Sequence, residues 1–218
     1  MGRSRSGAAL VVAWLGVACL AACSADKGTP TDGPPTPTAR AEAPPYETRS
    51  FAPALTVTPP SWLPEAPAVD EEHFLTWVGA GVDVDRAVRF LSPVGIFDPG
   101  HRPQRLSPVP DDYVTYLLDL THFGADISSP TTIDVDGHPA TVVTASTDTG
   151  LDGALGCQAA DLAAADCFGL QRFAVLRVAV LDVDGRVLLA WARDVTGSPD
   201  AESDATAFEE LLGGVRFR

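Results

Sequence analysis

Two stretches of the chain echo each other, TIDVDGHPATVV and VLDVDGRVLLAW, each with Asp-Val-Asp-Gly set between β-rich runs. Asp-Gly in such a setting is a strong hairpin signal, because a two-residue type I′ turn needs positive φ at both central positions. Asp136-Gly137 and Asp184-Gly185 are therefore predicted turns, joining 131–135 to 140–145 and 173–183 to 186–192. The second pair is apolar on both faces, which places it mid-sheet with helices over it. The Asp spacing also resembles part of an EF-hand loop, but that loop needs an earlier Asp and a Glu well after the glycine. Ile133 with HPATVV, and RVLLAW in the second stretch, supply neither, so no metal site is expected.

The rest of the domain follows from pattern. FAPALTVTPPSW alternates Phe51, Pro53, Leu55 and Val57 as a strand, with Pro53 suited to an edge or a first pairing position. Trp62 is expected to plug the core after the double proline. EEHFLTWVG reads as a strand or else as one helical turn, RAVRFLSPVGIFD as a further strand, and PGHRPQRLSPVP as a loop. DDYVTYLLDLTHF places Tyr113, Tyr116, Leu117, Leu120 and Phe123 on one helical stripe. Pro110 suits its first position, Asp111 and Asp112 the positive end of its dipole, and Gly124 its termination. Near the end, Ser203 is expected to cap a helix that turns Ala205, Phe208, Leu211 and Leu212 inward. Gly213-Gly214 stop it, and Val215 and Phe217 offer a last short strand. Hairpins dominate, so the expected class is α+β, a largely antiparallel sheet with helices packed on it.

The N-terminus speaks to location. Arg3 and Arg5 precede an uncharged apolar run, 8–22, about the length of a signal-peptide core and short for a bilayer span. The run closes in Leu20-Ala21-Ala22-Cys23, which resembles a bacterial lipobox. That resemblance implies a diacylglycerol thioether on Cys23 and removal of residues 1–22, Cys19 among them. Two acyl chains, at about 0.8 kcal/mol per buried methylene, make a lasting anchor where one does not. Residues 23–49 are rich in Pro, Thr, Ala and Gly and read as a semi-extended tether too poor in apolar groups to fold. Residues 50–218 form the single expected domain. Its cysteines, Cys157 and Cys167, suit a disulfide in an exported protein better than a zinc site, which needs more ligands than lie nearby.

Without the leader the chain carries 13 Lys and Arg against 29 Asp and Glu, a formal charge of −16. Such a charge repels phosphate backbones and anionic headgroups, so no nucleic-acid partner is expected and membrane attachment falls to the acyl chains. A Gly-x-Ser-x-Gly elbow and a phosphate-cradling glycine loop are both missing from the sequence, and His73, His101, His122 and His138 share no ligand spacing. No cofactor and no catalytic residue is expected. The one local basic cluster, His101, Arg102 and Arg105 in DPGHRPQR, offers a small anion site or else a solvated loop whose arginines answer nearby carboxylates.

FAPALTVTPPSW, the segment VPDDYVTYLLDLTHF followed by ISSPTTIDVDGHPAT, VAVLDVDGRVLLAW and FEELLGGVRF together resemble a group of actinobacterial secreted lipoproteins. One lysine against fourteen arginines fits the GC-rich genome of such a source. More remotely, the order of elements is similar to the PsbP-like fold found in exported lipoproteins of the mycobacterial Lpq kind. The resemblance implies a curved antiparallel sheet with helices on both sides, and a protein that binds or assists rather than catalyses. The expected function is a membrane-anchored, extracytoplasmic binding or accessory module acting on an envelope protein. The alternative is a carrier that encloses a hydrophobic, lipid-like ligand.

Overall fold

The computed structural model describes residues 44–79, 87–101, 104–195 and 201–218. The expected leader, Cys23 and the tether up to residue 43 lie outside them. In chain order the strands are β1 (Tyr46–Glu47), β2 (Leu55–Val57), β3 (Val69–Asp70), β4 (Phe74–Val78), β5 (Ala87–Leu91), β6 (Ile96–Phe97) and β7 (Leu106–Ser107). Helix α1 (Tyr113–Asp119) follows and runs into a 3₁₀ turn, Leu120–Phe123. Then come β8 (Ala125–Ile127), β9 (Thr131–Val135), β10 (His138–Thr147), β11 (Leu151–Gly156), β12 (Phe168–Leu170), β13 (Ala174–Val183) and β14 (Arg186–Val195). Helix α2 (Ala201–Gly213) and β15 (Val215–Phe217) complete the chain.

The main sheet runs β3-β4-β5-β14-β13-β10-β8, with β9 also on β10, and its pairs are antiparallel. Both predicted turns form. Asp136 and Gly137 have φ of 53° and 83°, and Asp184 and Gly185 have 54° and 75°. The first Asp of each motif explains the repeat: Asp134 Oδ1 accepts from Gly137 N, and Asp182 Oδ1 from Gly185 N. These carboxylates hold the turns. Asp136 adds a tie across the fold by accepting from the Phe217 amide at 2.8 Å.

Period-2 alternation splits the core into two layers. On β13, Leu176, Val178 and Val180 face one side, and Ala179, Leu181 and Val183 the other. The second side is covered by α2, through Phe208, Leu211 and Leu212, and by a small sheet β1-β2-β15. The first is covered by α1, through Tyr113 and Leu117, and by the hairpin β11-β12. Fully buried Trp77, Phe90 and Phe208 each contribute about 1.5–3 kcal/mol by burial. The architecture is α+β but sheet-dominated, with one helix on each face.

Several local expectations are corrected. Pro53 lies ahead of β2 on a cis peptide, and β2 is the middle strand of its sheet rather than an edge, so no ladder amide is lost. Leu63, not Trp62, is the buried plug; Trp62 is half-buried beside it. Helix α1 starts three residues after Pro110, because the Asp112 side chain caps it by accepting from Thr115 N at 2.9 Å. Gly124, at φ 91°, ends the 3₁₀ turn as expected, but that tighter winding leaves Phe123 38% exposed. Ser203 falls inside α2 as its bounds stand, not before it. Proline content hid β7, and β11 and β12 flank the disulfide where only a loop was expected.

Folded structure also begins ahead of residue 50. The Asp70 carboxylate accepts from the Tyr46 hydroxyl at 2.8 Å and from the amides of Arg49, Ser50 and Phe51 at 2.8–3.1 Å. Tyr46 packs edge-on against Trp77. Burial pushes the Asp70 carboxyl up, but the Arg49 amide, the Tyr46 hydroxyl and the amides of Phe51 and Ser50 outweigh it and hold it below the usual carboxylate range. Its stabilisation is therefore complete above the unfolded value near pH 3.9 and is lost as pH falls through the lower folded value. Asp70→Asn should cost about 1–3 kcal/mol at pH 7, discounted toward the low end because the group is partly solvated. Urea unfolding at neutral pH and again below pH 3 should show that deficit shrinking in acid.

Candidate functional site

Three places bear on function. The first is the basic loop after β6. There Asp98 Oδ1 accepts from Gly100 N, and Asp98 Oδ2 lies 2.7 Å from His101 Nδ1. Asp98 thus engages one ring nitrogen of His101. Arg105 is exposed, and Arg102 lies outside the described residues. The loop backs onto α1, where burial, followed by the charge of Asp98, pushes the Tyr116 hydroxyl well above its ordinary range.

The second is a cleft of about 400 Å³ at the sheet rim, lined by His73, Ser92, Asp111, Asp182 and Arg186 among Val94, Val109 and Val187. Ser, His and Asp meet there, the residue types of an acyl-transfer triad. Among the described residues, however, no hydrogen bond joins the His73 ring to Ser92, Asp111 or Asp182; the link between them is backbone, Ser92 N donating to His73 O at 3.0 Å. The His73 Nδ1 atom is buried without a partner among the described residues.

The third cleft, about 110 Å³, lies between the sheet and β12. Its floor is Arg89 on β5, Trp191 and Arg193 on β14, and Leu176 on β13. Arg89 stands opposite Trp191, and Arg193 opposite both Ala87 and Leu176. All four floor residues point to the α1 face by strand alternation. The roof is Cys167, Phe168, Gly169 and Gln171. Cys167 is bonded to Cys157, the predicted disulfide, and is therefore not a free thiol. Phe168 stacks on Phe74 at 4.6 Å and meets Trp191 edge-on at 5.2 Å. Gly169 is obligatory, since a Cβ there would lie 2.0 Å from the Leu151 carbonyl oxygen. Burial disfavours the charge on Arg89, and the like charge of Arg193 disfavours it further.

Sequence reading missed this pair. An Arg at an inward position of an apolar strand, in RAVRFL and again in AWARD, was the available signal. The pairing of β5 with β14 was not, and that pairing alone brings the two together. Among the described residues, no group of three or more His, Cys, Asp or Glu could hold a metal ion, and no helix is long and apolar enough to cross a membrane.

Neither a protein-family model nor any curated protein matches this chain. Solved structures share a similar course of chain. The cyanobacterial PsbP of Synechocystis is 10% identical with a TM-score of 0.44, over 86% of this chain and 99% of that one. The Saccharomyces cerevisiae Ran-binding protein Mog1p is 10% identical with a TM-score of 0.44, over 80% and 96%. A Pseudomonas aeruginosa protein of unknown function, PA94, is 13% identical with a TM-score of 0.42, over 80% and 97%. This remote similarity to PsbP- and Mog1-type structures is as far as the resemblance extends, and nothing about this chain's chemistry follows from it.

The disulfide pins the roof of the third cleft. Closing a loop of ten residues contributes about 3 kcal/mol in the chain-entropy account. Reduction, or the Cys157→Ser/Cys167→Ser pair, should lower unfolding free energy by roughly that amount. Hydrogen exchange should quicken first at the amides of 168–170 while the β13–β14 amides stay protected.

Proposed function

We propose that this chain is an extracytoplasmic lipoprotein of the actinobacterial secreted type, held to the cell membrane through Cys23, whose domain is a non-enzymatic binding or accessory module for another envelope component. The observation that carries the reading is the lipobox Leu20-Ala21-Ala22-Cys23 heading a chain whose remaining cysteines are joined, Cys157 to Cys167. Structural disulfides belong to oxidising compartments, and a lipid-modified cysteine followed by a Pro- and Thr-rich tether belongs to the outer side of a membrane. The small cleft under β12 collects groups suited to binding, the Arg89 and Arg193 guanidiniums, the Gln171 amide and the Phe168 and Trp191 rings. The alternative is a carrier of a hydrophobic, lipid-like ligand; the binding-module reading is favoured by the large side chains buried on the sheet, among them Trp77, Phe90, Leu189 and Phe208. A formal charge of −14 over the whole chain leaves attachment to the acyl chains rather than to electrostatic docking.

Cys23→Ser should abolish incorporation of radiolabelled palmitate and move the protein from the membrane pellet to the medium or the soluble fraction. The wild-type chain should take up label and stay in the pellet. Unlabelled wild-type protein released freely into the medium would reject the anchor.

A further inference from the structure

The cleft under β12 gathers two arginines, Arg89 and Arg193. Two guanidinium groups share one face of the sheet, on neighbouring strands and one diagonal apart, which sets their Cα atoms about 7–8 Å from each other. The described residues lining the cleft include no carboxylate, in a chain that carries 29 of them. Arg193 has further interactions of its own. Among the described residues, no acceptor contacts Arg89. Holding a largely desolvated guanidinium at Arg89, beside the like charge of Arg193, costs stability that a bound anion would offset. An anion between the two converts their repulsion into attraction.

We propose that this cleft binds a single phosphate-type oxyanion, with the Arg89 guanidinium as its bidentate partner, Arg193 as the second cation and Gln171 at the rim. The chemistry matches the shape. A planar guanidinium presents parallel N–H donors to two oxygens, and a doubly charged ligand rewards two cations more than a single carboxylate does. A cleft of about 110 Å³ is small, a size that suits a single phosphate group. The disulfide and the Phe168–Phe74 stack hold the roof in place, so the site is preorganised. The overall negative charge repels anions at long range, so this local pair must do the binding, and moderate salt screens the repulsion. This inference goes beyond the anchor reading and does not rest on it: the cleft lies within the folded domain and is tested on unlipidated protein.

The test uses the purified chain carrying Cys23→Ser, titrated with inorganic phosphate at ionic strength held constant with sodium chloride, and read by calorimetry and by thermal unfolding. Phosphate should release or take up heat at one site and raise the unfolding midpoint in proportion to the logarithm of its concentration. Arg89→Gln should weaken binding about ten- to a hundredfold, Arg89→Lys by several-fold through loss of the bidentate geometry, and Arg105→Gln not at all. If Arg89→Gln does not fold, Arg89→Lys decides. Vesicles of phosphatidylcholine with phosphatidic acid separate the sources. Binding of free phosphate without vesicle binding assigns a soluble anion. Vesicle binding that Arg89→Lys weakens assigns a lipid headgroup. No response to either probe, equal response to acetate and phosphate, or phosphate binding unchanged in a folded Arg89 variant would overturn the proposal.

Discussion

The antiparallel pairing of β13 with β14 is the interaction on which the rest of this structure depends. It runs without a break from Ala174 opposite Val195 to Val183 opposite Arg186, and it forms the centre of the main sheet. A two-residue turn sets its register, and Asp182 secures that turn by accepting from the Gly185 amide. Once the register is set, alternation decides which side chains go to which layer, and a slip of one residue would exchange them all. Both layers of the core, and both helices, are placed against this hairpin.

The same constraint creates the arginine cleft. Arg193 lies on the α1 face because it is two residues beyond Trp191, and Trp191 is two beyond Leu189. Antiparallel pairing then puts Arg89 opposite Trp191. Neither arginine could leave this face without moving a core residue into its place. What keeps their surroundings fixed is the segment crossing above, joined to β11 through Cys157–Cys167 and seated by Phe168 on Phe74 and Trp191. A covalent clamp and an aromatic stack thus hold open a small polar space in an otherwise apolar layer.

Much of the fold could be read from the chain. The two Asp-Gly turns, the helix stripe of Tyr113, Leu117 and Leu120, the stop at Gly124 and the disulfide all follow from local physics, and the structure contains them. Residue type alone assigns Pro53 and Trp62 roles that depend on neighbours distant in sequence, whereas Phe123 leaves the helical stripe through the local 3₁₀ winding after α1. Tyr46 looked like tether because its partners, Asp70 and Trp77, come 24 and 31 positions later. The basic cluster of His101, Arg102 and Arg105 is legible because its residues are near one another in sequence, and the structure adds Asp98 beside His101.

By itself the sequence determined the turn positions, the period of each element, the acidic character of the surface and the lipobox-like cysteine, because each depends on a few consecutive residues. Only the tertiary structure decided which strands are neighbours, which helix covers which face and which charges come within reach of one another. Those outcomes depend on pairings across the fold, as with Arg89 and Arg193, 104 positions apart in the chain and one strand apart in the sheet. Local propensity carries no record of them.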